Sequence, residues 1–220
     1  MKLLRVGEPG KERPAVLDQA GICRDLSEVV DDIAGPALSK ESLAFLEGVD
    51  LKALPAIEGN PRIGPCVGSV GKFICIGLNY SDHAAESNLP VPDEPILFMK
   101  ATSAISGPND PVILPPGSTK SDWEVELGVV IGTHTRHVSQ AEALDYVAGY
   151  CVVNDLSERA YQLEQGGQWV KGKSYDGFGP IGPWLVTADE VGDPQSLGLW
   201  LDLNDARTQT EKIILSVFPV

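Results

Sequence analysis

Short apolar runs of strand length, separated by Pro and Gly, dominate the chain beyond residue 66. Only residues 139–146 and 156–164 have helical spacing, and Ser139 with Glu142 three positions later is typical of a capping box. The pattern predicts a β-rich α+β fold. We expect a fully buried strand in residues 72–77 and further strands in the apolar runs 96–99, 112–114, 124–131, 146–153, 184–186 and 199–203.

The first third of the chain has a different pattern. Residues 1–6, 15–17 and 21–26 are predicted strands around turns, and residues 38–46 have the spacing of one short helix. A stretch rich in Pro and Gly follows and is typical of a linker. We therefore place a domain boundary near Cys66. It separates a small N-terminal α+β domain with its linker, residues 1–66, from a larger domain, residues 67–220.

The charge balance excludes some classes of partner. The chain has 17 Lys and Arg against 31 Asp and Glu, a net charge of −14, so it would repel nucleic acid and anionic membrane surfaces. No window approaches the roughly 18 consecutive apolar residues of a membrane helix, and the start lacks a signal-peptide apolar region. We expect no nucleic-acid or membrane partner and a cytoplasmic protein. The cysteines form no CxxC pair and are predicted free thiols: Cys23, Cys66, Cys75 and Cys151.

Three carboxylates alternate with apolar residues in the segment 121–131. In a strand, Asp122, Glu124 and Glu126 would share one face. Like charges this close call for a neutralising cation, and oxygen ligands suit Mg²⁺, Mn²⁺ or Ca²⁺. Asp155 ends the next long apolar run and would complete a Glu124/Glu126/Asp155 site with open positions for water and substrate. The alternatives are a solvated strand face and, for Asp155, a helix N-cap.

Two more segments carry candidate chemistry. His83 and Glu86 are three residues apart where a predicted strand leads into a helical turn, so the carboxylate could orient the imidazole as a general base. The alternative is an ordinary surface contact. Lys173 lies between Gly172 and Ser174, and in so acidic a chain this lysine is either aimed at an anion or part of the ordinary surface charge.

Together these segments resemble the fumarylacetoacetate hydrolase superfamily, in its small prokaryotic-type branch. The resemblance runs from about residue 71 to residue 193, and many spaced motifs occur in one order. The motifs are IGLNYSDH (76–83), KA (100–101), GP (107–108), DWEVEL (122–127), NDLSER (154–159), KGKSYD (171–176) and GPW (182–184).

The resemblance implies a fold, a metal site and further site residues. The fold is a mixed β-sandwich roll preceded by a small N-terminal domain, normally in a homodimer. The metal is Mg²⁺ or Mn²⁺ on Glu124, Glu126 and Asp155, with Ca²⁺ possible on the ligand chemistry. The other implied residues are the His83/Glu86 dyad, Lys173 near the reacting oxygen, and Arg159 and Gln162 lining the substrate pocket.

The reaction that the resemblance implies is metal-dependent cleavage of a C–C bond in a 2,4-diketo acid. The substrate would be fumarylacetoacetate-like or a diketo-deoxy sugar acid, and the products pyruvate and a second acid. The alternatives are a ureidoglycolate lyase, a decarboxylase, isomerase or hydratase of a 2-oxo acid, and an inactive member. The last is kept because residues after Asn204 do not resemble the family's continuation, so the catalytic domain is expected to be shortened.

Overall fold

The structure is a computed structural model that describes residues 1–79, 92–213 and 216–220, with the backbone alone at 211 and 212. Its strands are β1 (Lys2–Val6), β2 (Arg13–Leu17), β3 (Cys23–Asp25), β4 (Phe73–Gly77), β5 (Ile96–Lys100), β6 (Ile105–Ser106), β7 (Ser121–Asp122), β8 (Val125–Ile131), β9 (Val147–Asn154), β10 (Ser157–Glu158), β11 (Gly179–Thr187), β12 (Gly198–Leu203) and β13 (Ala206–Lys212). Its α-helices are α1 (Lys40–Glu47), α2 (Arg159–Leu163), α3 (Val170–Lys173) and α4 (Ala188–Val191), and its 3-10 helices are Gly35–Leu38, Leu51–Ala53, Thr102–Ala104, Gln140–Tyr146 and Pro194–Ser196.

The main sheet contains strands from both sides of the predicted domain boundary. Its strand order is β3-β2-β1-β11-β9-β8, with antiparallel neighbours, and the short β6 pairs in parallel with β11. The N-terminal strands enter the sheet where Leu3 on β1 pairs with Leu185 on β11. Residues on the two sides of Cys66 thus share one sheet. The domain boundary near Cys66 stays a prediction.

The main core lies between the N-terminal segments and the long strands of the sheet. Leu3, Ile33 and Leu185 are fully buried in it, together with Cys151 and Val153 from β9. Apolar side chains from both sides of residue 66 therefore pack in one cluster, and this burial supplies the main driving force for the arrangement. A second, smaller cluster of Val125, Leu199 and Ile213 packs β8 against the β12–β13 pair.

Strands β4 and β5 form a separate antiparallel pair beside the main sheet. Gly77 is opposite Ile96, so the connection between the strands is residues 78–95, which include the predicted dyad. Phe98 and Lys100 on β5 face inward, whereas Leu97 and Met99 are exposed, as strand alternation requires.

Most predicted elements are present, and four expectations about secondary structure were wrong. Residues 112–114 form no strand. Residues 140–146 form a 3-10 helix rather than an α-helix, and the Ser139 hydroxyl bonds to the Glu142 carboxylate instead of capping a backbone amide. The helix predicted at 156–164 is only α2, because Ser157 and Glu158 pair as β10 with β7 first. The helix N-cap is Glu158, so the N-cap alternative for Asp155 is also wrong.

No helix in the described part of the chain is long and apolar enough to cross a membrane.

Candidate active site

Glu124 and Asp155 are brought together by the pairing of β8 with β9. Val125 is opposite Asn154, and just beyond this pair the amide of Asp155 donates to the carbonyl of Glu124 at 2.9 Å. The strand register thus places the two carboxylates side by side at one end of the main sheet. Backbone pairing therefore explains why Glu124 and Asp155 lie close together, as the sequence predicts.

Lys173 places its ammonium group between these carboxylates. Its Nζ lies 2.7 Å from Asp155 Oδ2 and 3.1 Å from Glu124 Oε2. The lysine is buried at the end of α3, which packs closely on α2 because Gly172 has no side chain. A Cβ at Gly172 would lie 2.3 Å from the carbonyl oxygen of Glu158, so any other residue would push the helix and Lys173 away.

Arg159 holds the outer side of the same acidic group. Its Nε donates to Asp122 Oδ2 at 2.8 Å, its Nη2 contacts Glu124 Oε1, and its Nη1 donates to Gln162 Oε1 at 2.9 Å. Burial acts to raise the pKa of Glu124, but the charges of Lys173 and Arg159 outweigh it and lower the pKa. Glu124 is therefore an ionised carboxylate held between two cations at neutral pH.

Lys100 is a further buried cation in the site. Its Nζ lies 2.7 Å from Asp155 Oδ1, and it donates to the carbonyl oxygens of Leu156 at 2.9 Å, Lys173 at 2.6 Å and Phe178 at 2.9 Å. An ammonium group has three protons, which these four oxygens share. Asp155 Oδ1 is therefore held in a buried ion pair with Lys100.

Glu126 and Cys75 belong to the same electrostatic environment. Burial, followed by the charge of Asp155, raises the pKa of the Cys75 thiol to about 12, and the charge of Glu126 acts in the same direction. The thiol is therefore protonated at neutral pH and is no nucleophile there. The charges of Glu126 and Asp155 thus act on Cys75 in the same direction.

Glu124, Glu126 and Asp155 offer carboxylate oxygens, which are the ligand type of a hard divalent cation. The arrangement described here has Lys173 between Glu124 and Asp155. Within residues 1–79, 92–213 and 216–220, no group of three His, Cys, Asp or Glu side chains is close enough together to hold a metal ion. The three-ligand site stays a prediction.

The structure unites part of the predicted site. It brings together Glu124, Asp155, Lys173, Arg159 and Gln162. The predicted dyad, His83 and Glu86, lies outside the described residues.

The sequence interpretation gave no role to Lys100. The available signal was a lysine at the end of the apolar strand 96–100, in phase with Phe98 rather than with the exposed Leu97 and Met99. A charged residue on the buried face of a strand needs partners there.

Comparisons with known proteins identify the family. Residues 72–220 match the fumarylacetoacetate (FAA) hydrolase C-terminal family, and the chain belongs to it. It is an enzyme of the fumarylacetoacetate hydrolase superfamily, whose members here include hydrolases and isomerases. A relative from Burkholderia cenocepacia, provisionally named a hydrolase, is 61% identical over 220 residues, which are 100% of this chain and 78% of the relative.

Solved structures confirm the predicted fold class. A fumarylacetoacetate hydrolase from psychrophilic Exiguobacterium antarcticum is 32% identical, with a TM-score of 0.84 over 100% of this chain and 78% of that one. Maleylpyruvate hydrolase from Sphingobium sp. SYK-6, solved with manganese(II) and pyruvate, is 28% identical, with a TM-score of 0.80 over 100% and 79%. A 5-carboxymethyl-2-hydroxymuconate delta-isomerase from Mycobacterium smegmatis is 27% identical, with a TM-score of 0.74 over 100% and 78%.

Proposed function

We propose that the chain is a divalent-metal-dependent hydrolase that cleaves the C–C bond of a 2,4-diketo acid to pyruvate and a second acid. The observation that carries the proposal is the buried ammonium of Lys173, in contact with both Glu124 and Asp155. A fixed positive charge in a water-poor site stabilises negative charge that develops on a substrate oxygen. An oxo acid that breaks down through an enolate develops such a charge.

The metal would be held by Glu124, Glu126 and Asp155, with Mg²⁺ or Mn²⁺ as the first choices and Ca²⁺ possible. A divalent cation would supply Lewis acidity and a chelation point for the carboxylate and 2-oxo oxygens of the substrate. Manganese in the similar maleylpyruvate hydrolase supports this assignment. The strand register that places Glu124 beside Asp155 supports it from this chain.

Hydrolysis needs a base for water and an acceptor for the electron pair of the broken bond. We assign the base to His83, oriented by Glu86, on the resemblance. As His83 takes a proton from water, the water oxygen bonds to C4 and the C3–C4 bond breaks. The electron pair passes to C3 and the 2-oxo oxygen as pyruvate enolate, where Lys173 stabilises the charge. The proton then returns to C3 and gives pyruvate.

Arg159 and Gln162 would line the substrate pocket. Arg159 already contacts two carboxylates, Asp122 and Glu124, which fix the direction of its guanidinium group. A guanidinium has five N–H donors, and the second N–H of Nη1 is the one that could reach a substrate carboxylate. The role that follows is orientation of the carboxylate of the oxo acid, with Gln162 held against Arg159.

An isomerase acting on a related oxo acid is the second candidate. The similarity to the 5-carboxymethyl-2-hydroxymuconate delta-isomerase favours it, because moving a double bond through an enolate needs the same charge stabilisation. An isomerase would convert its substrate without releasing pyruvate, so the products separate the two candidates.

The test is pyruvate release from a panel of 2,4-diketo acids that differ in the group beyond C4. The purified chain is assayed with Mg²⁺, with Mn²⁺ and with a chelator. The proposal predicts pyruvate at an enzymatic rate that the chelator abolishes and either metal restores. Folded protein that binds metal and consumes the diketo acids without releasing pyruvate would overturn the proposal.

The homodimer stays a prediction. Light scattering, which gives the mass of the protein in solution, tests it.

A further inference from the structure

We propose that Lys100 is a positioning residue that holds the parts of the active site in register. The inference rests on the proposed function, because its effect on catalysis acts through Asp155 and Lys173. The contacts of Lys100 are with Asp155 and with backbone carbonyls, so its effect would reach the substrate through other residues. Its ammonium joins the end of β5 to residues 155–156, 173 and 178.

Lys100 has several buried partners. It lies at the end of β5, and its ammonium donates to the carbonyl oxygens of Leu156, Lys173 and Phe178. These residues follow Asp155, end α3 and precede β11. Only 1% of Lys100 is exposed, so water cannot replace these partners. The loss of the ammonium would take a donor from all three carbonyl oxygens at once, although that of Phe178 keeps the amide of Leu156 at 3.2 Å.

The Asp155 carboxylate lies between the two buried lysines. Asp155 has one oxygen on Lys100 Nζ and the other on Lys173 Nζ, each at 2.7 Å. The two ammonium groups thus fix the direction of the Asp155 carboxylate between them.

The β4–β5 pair is also fastened through Lys100. Residues 78–95, which include the proposed base His83, connect these strands. The end of β5 is fastened to the Lys173 segment by Lys100 and, beside it, by Ser174, whose hydroxyl oxygen accepts from the amide of Ala101 at 2.8 Å. Lys100 therefore links the β4–β5 pair to Asp155 and Lys173.

The test compares Lys100→Met with Ile33→Ala, a core truncation outside the site that also lowers stability. In Lys100→Met we expect kcat for pyruvate release to fall about 100-fold, the size of effect that misplacement by about 1 Å produces. We expect KM to change less than tenfold. Ile33→Ala should keep kcat within threefold at a temperature where both variants are folded.

Hydrogen exchange supplies a readout that does not depend on the reaction. In Lys100→Met, amides in residues 96–101, 156–159 and 173–179 should exchange at least tenfold faster, while β1, β2 and β9 keep their protection. A merely global loss of stability would speed exchange in all of these segments together, as Ile33→Ala should. The proposal would be overturned if amide exchange in Lys100→Met were accelerated equally in all of these segments, or if its kcat were within threefold of the wild-type value.

A second variant covers the case in which Lys100→Met does not fold. Lys100→Gln keeps N–H donors but loses the charge and the reach, and we expect at least a tenfold loss of kcat with the same local exchange pattern. If the wild-type chain releases no pyruvate but the exchange pattern is local, the proposed function fails and the structural role of Lys100 stands. If the wild type is active and both folded variants are equally active, only the inference on Lys100 fails.

Discussion

Lys173 Nζ and Asp155 Oδ2 form an ion pair of 2.7 Å in which both side chains are almost completely buried. Transfer of two charges from water to such a position is costly, and their attraction offsets that cost only when further contacts satisfy both groups. Glu124 supplies the further contact for Lys173, and Lys100 supplies it for Asp155. The pair therefore belongs to a network of charges rather than to a simple stabilising contact.

The first prediction concerns the ammonium group of Lys173. Lys173→Met removes the charge that we assign to the enolate, and we expect kcat for pyruvate release to fall at least about 100-fold, as when an oxyanion donor is removed. Lys171→Met is the matched control, because Lys171 is exposed and donates to the carbonyl of Gln165. Equal activity of the two variants would refute the role of Lys173.

The second prediction concerns the fork of Arg159. Arg159→Lys keeps the charge but cannot hold Asp122, Glu124 and Gln162 together. We expect kcat/KM for the diketo acid to fall about 10- to 100-fold, measured under steady-state conditions. Arg207→Lys, which changes an exposed arginine paired with Asp202, should leave kcat/KM within twofold. An Arg159→Lys variant with unchanged kcat/KM would exclude this role of Arg159.

The sequence predicts the strands better than it predicts how they associate. Period and punctuation identify β4, β5, β8, β9 and β12, because each is an apolar run of strand length. They do not predict β13, a polar strand of residues 206–212 that exists through its pairing with β12. The apolar run 112–114 fails in the opposite way, since apolar residues alone cannot supply a partner strand.

The candidate site is predictable where strand alternation or motif spacing determines it. Glu124 and Asp155 were expected together, and the register of β8 with β9 explains why they meet. Lys100 was not predicted, because its role depends on three backbone carbonyls from segments remote in sequence. Tertiary contacts of this kind leave no periodic pattern in the chain.

The third prediction concerns the proposed metal ligands. Asp155→Asn should weaken Mn²⁺ binding to the metal-free protein at least tenfold, measured by titration calorimetry, because a neutral amide replaces a carboxylate ligand. Glu124→Gln and Glu126→Gln should act in the same direction. Glu164→Gln, which alters an exposed carboxylate paired with Lys120, is the control and should leave the Mn²⁺ affinity unchanged. Unaltered affinity in all three ligand variants would place the metal elsewhere.

The fourth prediction is a pH dependence that comes from Glu158. Burial acts to raise the pKa of Glu158, but the Ser118 hydroxyl and the amides of Lys120, Ala160 and Thr119 outweigh it and lower the pKa below its ordinary value of 4.5. A lowered pKa in the folded state adds stability that is fully present above 4.5 and is lost as the pH falls through the folded pKa.

Denaturant unfolding across pH checks this prediction with Glu158→Gln. At pH 7 the variant should lose about 1.5 kcal/mol of unfolding free energy, the low end for a hydrogen bond to a charged group. The difference from wild type should shrink as the pH falls below 4.5. Glu28→Gln, at an exposed position, should show no such pH-dependent difference. A constant difference for Glu158→Gln at all pH values would show that its charge is not the source.

The most direct test of hydrolytic C–C cleavage uses 2,4-dioxopentanoate in water enriched in ¹⁸O, with Mn²⁺ and the purified chain. The account predicts pyruvate and acetate in a 1:1 ratio, with solvent ¹⁸O in the acetate carboxylate, and no products when a chelator is present. Loss of CO₂, or conversion of the substrate without pyruvate, would contradict it.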